Sequence, residues 1–234
     1  MTSNPINILT IQFADEISNN ELTAFRGAVI NSMTEAPLLF HNHLGEKFRY
    51  AYPLVQYKRI NRKAAIVCIG KEACDINELL KNSNINFHIR HEDREIHIES
   101  CRLDFAEIGI VDNMLLYRLK NWLPLNSNNY AIFQNTESLT DKIELLEKIL
   151  IGNILSLLKG VGIQLKDKIL LNITNISNKH LTSYKDIKLV AFDVDFKANI
   201  NLPQYIGIGK NASIGYGVLR KKDSPRRHKS LGES

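Results

Sequence analysis

The run LLFHNHLGEKFRYAYPLVQYK sets His41 and His43 two residues apart, just ahead of a glycine-containing turn and an aromatic, basic strand. In an extended segment the side-chain period of two turns both imidazoles to the same side. Histidine titrates near neutral pH, so one ring can remove a proton while the other delivers one, with no metal involved. Breaking an RNA phosphodiester with its own 2′-hydroxyl needs that pair of transfers, one from the attacking hydroxyl and one to the departing 5′-oxygen. Lys47, Arg49 and Lys58 could neutralise charge on the phosphorane, and Tyr50 or Tyr52 could stack on a base or donate to a phosphate oxygen.

Such a histidine pair can also be surface decoration or half of a metal site. Zinc requires further ligands, and none stands at a diagnostic spacing, although His88, His91 and His97 could be brought near by folding. Those three lie in a charged hairpin pattern where solvated or cross-strand roles are the simpler reading. No metal and no cofactor is expected. His180 and His228 sit in polar stretches and are expected to be exposed. Asp193 and Asp195 alternate with apolar residues in AFDVDF, which places them on the solvent face of a strand.

A second candidate is YIGIGKNASIGYGVLRKK, in which Gly207, Gly209, Gly215 and Gly217 enclose Lys210, Asn211 and Ser213. It is not a dinucleotide fingerprint, because it opens a final strand rather than a helix, and GIGKNAS lacks the four-residue interval of a Walker A loop. Glycines there let a backbone approach an extended phosphate chain and turn its N–H groups outward, with Lys210 adding charge. A hairpin shaped only for its own turns would also use glycine, but would not account for Lys210, Asn211 and Ser213 at the tip.

The elements that must carry these residues repeat. INILTIQFA alternates like a strand with one buried face, and ELTAFRGAVINSM has helical spacing with Ser18, Asn19 or Asn20 as N-cap. Residues 52–57 and 64–69 read as strands joined at Asn61, residues 72–81 as a short helix, and NFHIRHEDREIHIESCRLDF as two strands about a charged turn. A second pass begins near Asp112. LLYRLKNWLPL reads as a strand, NSNNY as an irregular connection, and residues 141–159 as a helix with a broad apolar stripe stopped by Gly160 and Gly162. KILLNITNI, KLVAFDVDFKANI and YGVLRKK follow as strands. The fold class is therefore α+β, two tandem ferredoxin-like (β-α-β-β-α-β) domains with a cleft between them, over residues 1–111 and 112–222. Residues 223–234 form a basic tail of disordered composition, either solubilising or RNA-contacting.

The bulk numbers agree. The chain of 234 residues is 44% hydrophobic and 24% charged, the balance of a chain that buries a core. Its net charge of +5 favours a polyanionic partner. Cys68, Cys74 and Cys101 show no zinc spacing, and Cys68 and Cys101 lie in strand-like apolar surroundings that suggest buried thiols in a reducing compartment. No apolar run reaches the ~20 residues of a membrane span, and the N-terminus lacks the order of a secretory signal, so a soluble, cytoplasmic protein is expected.

FRGAVINSM, LLFHNH with FRYAYPLVQYK, LLEKILIGNILSLLKGVG and FDVDFKANINLPQYIGIGKNASIGYGVL together resemble one family. It is the CRISPR repeat-processing endoribonucleases of the RAMP superfamily, in the subgroup with paired N-terminal histidines. The resemblance implies metal-independent cutting of CRISPR repeat RNA in a precursor transcript, leaving a 2′,3′-cyclic phosphate and a 5′-hydroxyl. By position, His41 and His43 fall on the subgroup's histidine pair, Tyr50 near its assisting tyrosine, and residues 207–217 on its glycine-rich RNA-binding loop. Which imidazole is base and which is acid stays open. So do the choice between monomer and homodimer and the association with CRISPR effector complex proteins. The alternative within the same fold is a non-catalytic RNA-binding subunit of an effector complex.

Overall fold

The computed structural model describes residues 4–32, 43–44, 47–48, 52–70, 84–89, 92–184 and 187–222. Strand β1 (Asn4–Glu16) enters the chain's first sheet at its centre. The expectation of one buried face is too low: Ile6 and Ile8 join one apolar cluster, while Leu9, Ile11 and Phe13, on the opposite face, join another. Helix α1 (Leu22–Asn31) covers the second face with Leu22, Phe25 and Val29. It follows a single 3-10 turn at whose start the Ser18 amide donates to the Glu21 carboxylate at 2.7 Å. Strands β2 (His43–Leu44) and β3 (Lys47–Phe48) form a small separate antiparallel pair.

Strands β4 (Val55–Ile60) and β5 (Lys63–Ile69) make the expected hairpin. Its two-residue turn has φ of 50° at Asn61 and 72° at Arg62, the pair of positive values that matches the natural twist of the strands. Strand β6 (Asn84–Ile89) pairs antiparallel with the start of β7 (Glu92–Trp122). The short helix expected over residues 72–81, Cys74 and the basic tail over residues 223–234 with His228 all lie outside the described residues.

In the second half, helix α2 (Ser127–Asn135) occupies the stretch expected to be irregular. Asn126 makes the difference: its side chain accepts the Asn129 amide at 2.8 Å and caps a helix whose composition is otherwise polar. Phe133 anchors that helix by an edge-on contact with Phe192. Helix α3 (Leu139–Gly160) buries Leu146, Leu150, Ile154, Leu157 and Leu158 as its apolar stripe requires, and Gly162, at φ 74°, supplies the stop. Strands β8 (Leu171–Tyr184), β9 (Ile187–Asn201) and β10 (Val218–Lys221) complete the half.

Strand partners give the topology. Ile8 pairs with both Ile69 and Asp104, so β1 lies between β5 and β7, and the first half runs β4-β5-β1-β7. Arg118 pairs with both Asp195 and Arg220, so β7 lies between β9 and β10, and the second half runs β10-β7-β9-β8. All these pairings are antiparallel. Each half therefore has the strand order of a ferredoxin-like unit, and the tandem ferredoxin-like fold is the observed one. Two details were not legible. The last strand of the first unit and the first strand of the second are one strand of 31 residues, β7. Between β9 and β10, where the pattern calls for a second helix, this chain has an irregular loop over residues 202–217.

One apolar cluster contains Ile6, Ile8, Val67 and Ile69 from the first half together with Tyr117, Trp122, Leu150 and Phe196 from the second. The halves share a core. Leu150 is fully buried, whereas Leu155 on the same helix is half-exposed. Leu150→Ala is expected to lower unfolding free energy by about 2–5 kcal/mol, and Leu155→Ala by much less, as read by urea unfolding.

Candidate functional site

Of the predicted cleavage residues, His41, Arg49 and Tyr50 lie outside the described residues. For His43 and Lys47 the backbone is described: both are extended, with His43 opposite Phe48 and Leu44 opposite Lys47. The glycine-rich loop is described in full.

That loop leaves β9, and its two ends run beside each other before entering β10. The Ile208 amide donates to the Gly217 carbonyl at 2.8 Å, and the Leu219 amide to that of Ile206 at 2.9 Å. Between these ends the chain reaches the first half. The Tyr57 amide of β4 donates to the Ser213 carbonyl at 2.7 Å, and Ile214 bridges Tyr57 in parallel sense, so the loop covers the outer edge of β4. The side chains beside Tyr57 do the same work. Gln56 Oε1 accepts the Gly207 amide at 2.7 Å, Tyr52 Oη donates to the Gly207 carbonyl at 2.6 Å, and Gln56 Nε2 donates to Tyr52 Oη at 2.9 Å.

Lys58 was expected among the phosphate-contacting cations, and the structure corrects this. Its side chain is 0% exposed, and Nζ donates to the Ala212 carbonyl at 2.7 Å. Burial pushes the ammonium down from the ordinary 10.5 to about 7, because the charged form loses its hydration. Tyr52 is likewise buried and engaged by the loop, which removes it from the stacking or phosphate contact expected of it; burial raises its phenol above the usual range.

The glycines serve the loop's own geometry. A Cβ on Gly207 would strike Lys58 Nζ and the Ala212 carbonyl, and one on Gly217 would strike the Ile208 carbonyl. Gly209, at φ 92°, packs against the place where Trp122 Nε1 donates to Asn153 Oδ1 at 3.0 Å. Gly215, at φ 86°, abuts Leu22 of α1. Ser213 is buried, and its carbonyl is the acceptor for β4. What the loop presents outward is Lys210, exposed; Asn211, half-buried at φ 57°, has its side-chain Nδ2 buried. Tyr216 lies within 3.0 Å of Thr182 on β8, so the loop also touches the second sheet's outer strand.

Asp195 is not on a solvent face. It is 6% exposed, accepts Arg118 Nε at 2.6 Å and Nη2 at 2.8 Å, and accepts Lys222 Nζ at 3.1 Å. The Arg118 hydrogen bond, seconded by Lys222, holds its carboxyl below the ordinary carboxylate range. Asp193 accepts the Asn121 amide at 2.8 Å. Cys68 is buried as expected, Cys101 is exposed, and His180 is half-buried rather than exposed. Sequence reasoning passed over Gln56, Trp122 and Asn153. The available signal was Gln56 and Lys58, two polar residues that alternate onto one face of β4. No helix among the described residues is long and apolar enough to cross a membrane.

Residues 4–107 match the family model of the Cas6b N-terminal domain, and residues 109–222 that of the Cas6b C-terminal domain. A crystal structure of Cas6b is 28% identical and covers 94% of this chain and 100% of that one, with a TM-score of 0.85. A crystal structure described as the CRISPR RNA processing endoribonuclease Cas6b has the same identity and coverage, with a TM-score of 0.72. An uncharacterized protein of Methanocaldococcus jannaschii is 35% identical over 125 residues, 53% of this chain and 84% of that protein.

The depressed titration of Lys58 gives a signed prediction. Between its unfolded value of 10.5 and its folded value of about 7, the unfolded chain binds a proton that the folded chain does not. Stability from this group is therefore present above the unfolded value, falls as pH drops through that window, and levels off below it. Urea unfolding across the window is expected to show a shallower loss for Lys58→Met than for the unsubstituted protein.

Proposed function

The chain belongs to the Cas6b family, and on that premise we propose that it cuts CRISPR repeat RNA in the precursor transcript by attack of a ribose 2′-hydroxyl, with no metal in the reaction. It is an endoribonuclease. The observation that carries this is the pair of family matches, one to each half, which together take in residues 4–107 and 109–222. The likeness over 94% of the chain to a CRISPR RNA processing endoribonuclease favours the enzyme over a non-catalytic RNA-binding subunit.

In the proposed reaction one imidazole of His41 and His43 takes the 2′-hydroxyl proton, and O2′ attacks the adjacent phosphorus. The P–O5′ bond breaks as the other imidazole, protonated, gives its proton to O5′. The products are a 2′,3′-cyclic phosphate and a 5′-hydroxyl. Tyr50 assists, and Lys47 and Arg49 stabilise the phosphorane charge. Lys58 has no part in that contact because it is buried.

RNA is held in addition by the tip of the glycine-rich loop. Lys210 is exposed there, between two segments fixed to β4, and is suited to a phosphate. A backbone contact of this kind positions the strand without reading its sequence.

Purified protein incubated with repeat RNA in excess chelator is expected to make one cut ending in a cyclic phosphate. His41→Ala, His43→Ala should slow that cut by roughly 10²–10⁴-fold while retaining RNA binding. A chelator-sensitive cut, or an undiminished one in the double variant, would overturn the mechanism. Lys210→Ala should weaken binding and reduce the slope of log K against log salt by about 0.7, the loss of one counterion-releasing contact to single-stranded RNA.

A further inference from the structure

Lys58 belongs to a strand of the first half, yet its ammonium bonds to the second. Nζ donates to the Ala212 carbonyl at 2.7 Å, one residue before the Ser213 carbonyl that the Tyr57 amide takes at the same distance. Two consecutive loop carbonyls are thus held by two consecutive residues of β4, one through a side chain and one through the backbone. On the other side of the tip, Gly207 is held through its amide by Gln56 and through its carbonyl by Tyr52. The anchored positions at 207 and at 212–213 bracket Lys210, which is exposed.

The choice of lysine is informative. A fully buried amine must give up its hydration, and a methionine would fill similar space without that cost. Gly207 leaves out its side chain where Lys58 Nζ and the Ala212 carbonyl already stand, so the two residues are fitted to one another. What lysine adds over an apolar side chain is a donor that reaches the Ala212 carbonyl. That carbonyl directly follows Asn211, whose φ of 57° makes its conformation one that needs support from outside.

We propose that Lys58 is the positioning residue of the RNA-binding loop: it touches no RNA and fixes, through the Ala212 carbonyl, the pose in which Lys210 meets the phosphate backbone. This rests on the reading of the loop given under the proposed function. The role differs from that of a core residue because it is exerted on one segment, between two anchors, and should be felt only by what that segment binds.

The test is a double-variant cycle in the full-length protein with Lys58→Met and Lys210→Ala, reading repeat RNA affinity and the single-turnover cleavage rate at saturating RNA, with circular dichroism and thermal unfolding alongside. Lys58→Met is expected to fold and to raise Kd by up to as much as Lys210→Ala does, since it acts only by misplacing that one phosphate contact. The loss should fall on Kd far more than on the saturated rate. The double variant should bind no worse than the weaker single variant, because a mispositioned Lys210 has little left to lose. Losses that multiply in the double variant would overturn the proposal, since Lys58 would then act independently of Lys210. If Lys210→Ala weakens binding and Lys58→Met does not, the proposal fails and the loop reading stands. If Lys210→Ala has no effect, the loop reading itself fails. Should Lys58→Met not fold, Lys58→Gln, which keeps a donor at shorter reach, enters the same cycle under the same criteria.

Discussion

Strand β7 is hydrogen-bonded to β1 along residues 98–108 and to β9 between Gly109 and Trp122, so two sheets hang on one continuous backbone. A strand's side chains alternate with a period of two, and a slip of one residue would exchange its faces. In the first half that alternation is fixed by β1, whose both faces are buried. In the second it is fixed by Tyr117 and Leu119 facing the core and by Arg118 facing Asp195. Register set on one side of residue 108 is inherited on the other, with bulges in the pairing at 110–115 and 119–122 taking up the mismatch. The family models divide the chain between residues 107 and 109, within an uninterrupted strand.

The glycine-rich loop closes the same assembly from a different direction. It stands where a second helix would complete the unit and packs instead against the free edge of β4. An exposed strand edge is a template for unwanted pairing, and covering it with a loop of the same chain satisfies the Tyr57 amide and covers the edge at once. The glycines follow from that close approach: Gly207 and Gly217 leave out side chains that would collide with Lys58 or with the loop's own backbone. A loop read from sequence as shaped for phosphate is thus shaped first for its own scaffold, and at its tip Lys210 faces outward.

Electrostatics divide along the same line. Asp195 draws Arg118 and Lys222 onto one buried carboxylate, so those two cations are structural before they are anything else. Lys58 is withdrawn from solvent altogether. The positive charge available to a polyanion is correspondingly smaller than the +5 of the composition suggests, and it is carried by exposed side chains such as Lys120, Lys210 and Arg220.

Local pattern determined much of this protein. The stripe on α3, the Asn61 turn, the apolar run of β5 and the strands of the second half were legible because periodicity and turn chemistry act within a few residues. The histidine pair and the glycine block named a family through their joint order, and the family is the one found. Tertiary structure alone decided what each polar residue near the site is for. Lys58 beside Lys47 in the sequence reads as another surface cation, and Asp195 in an alternating strand reads as solvated. Both readings fail because burial depends on what folds over a residue from far away in the chain: Ala212 stands 154 positions from Lys58, and Arg118 stands 77 from Asp195. Asn126 made a helix of a stretch whose composition spoke for a loop, because a cap acts through one hydrogen bond that composition does not register.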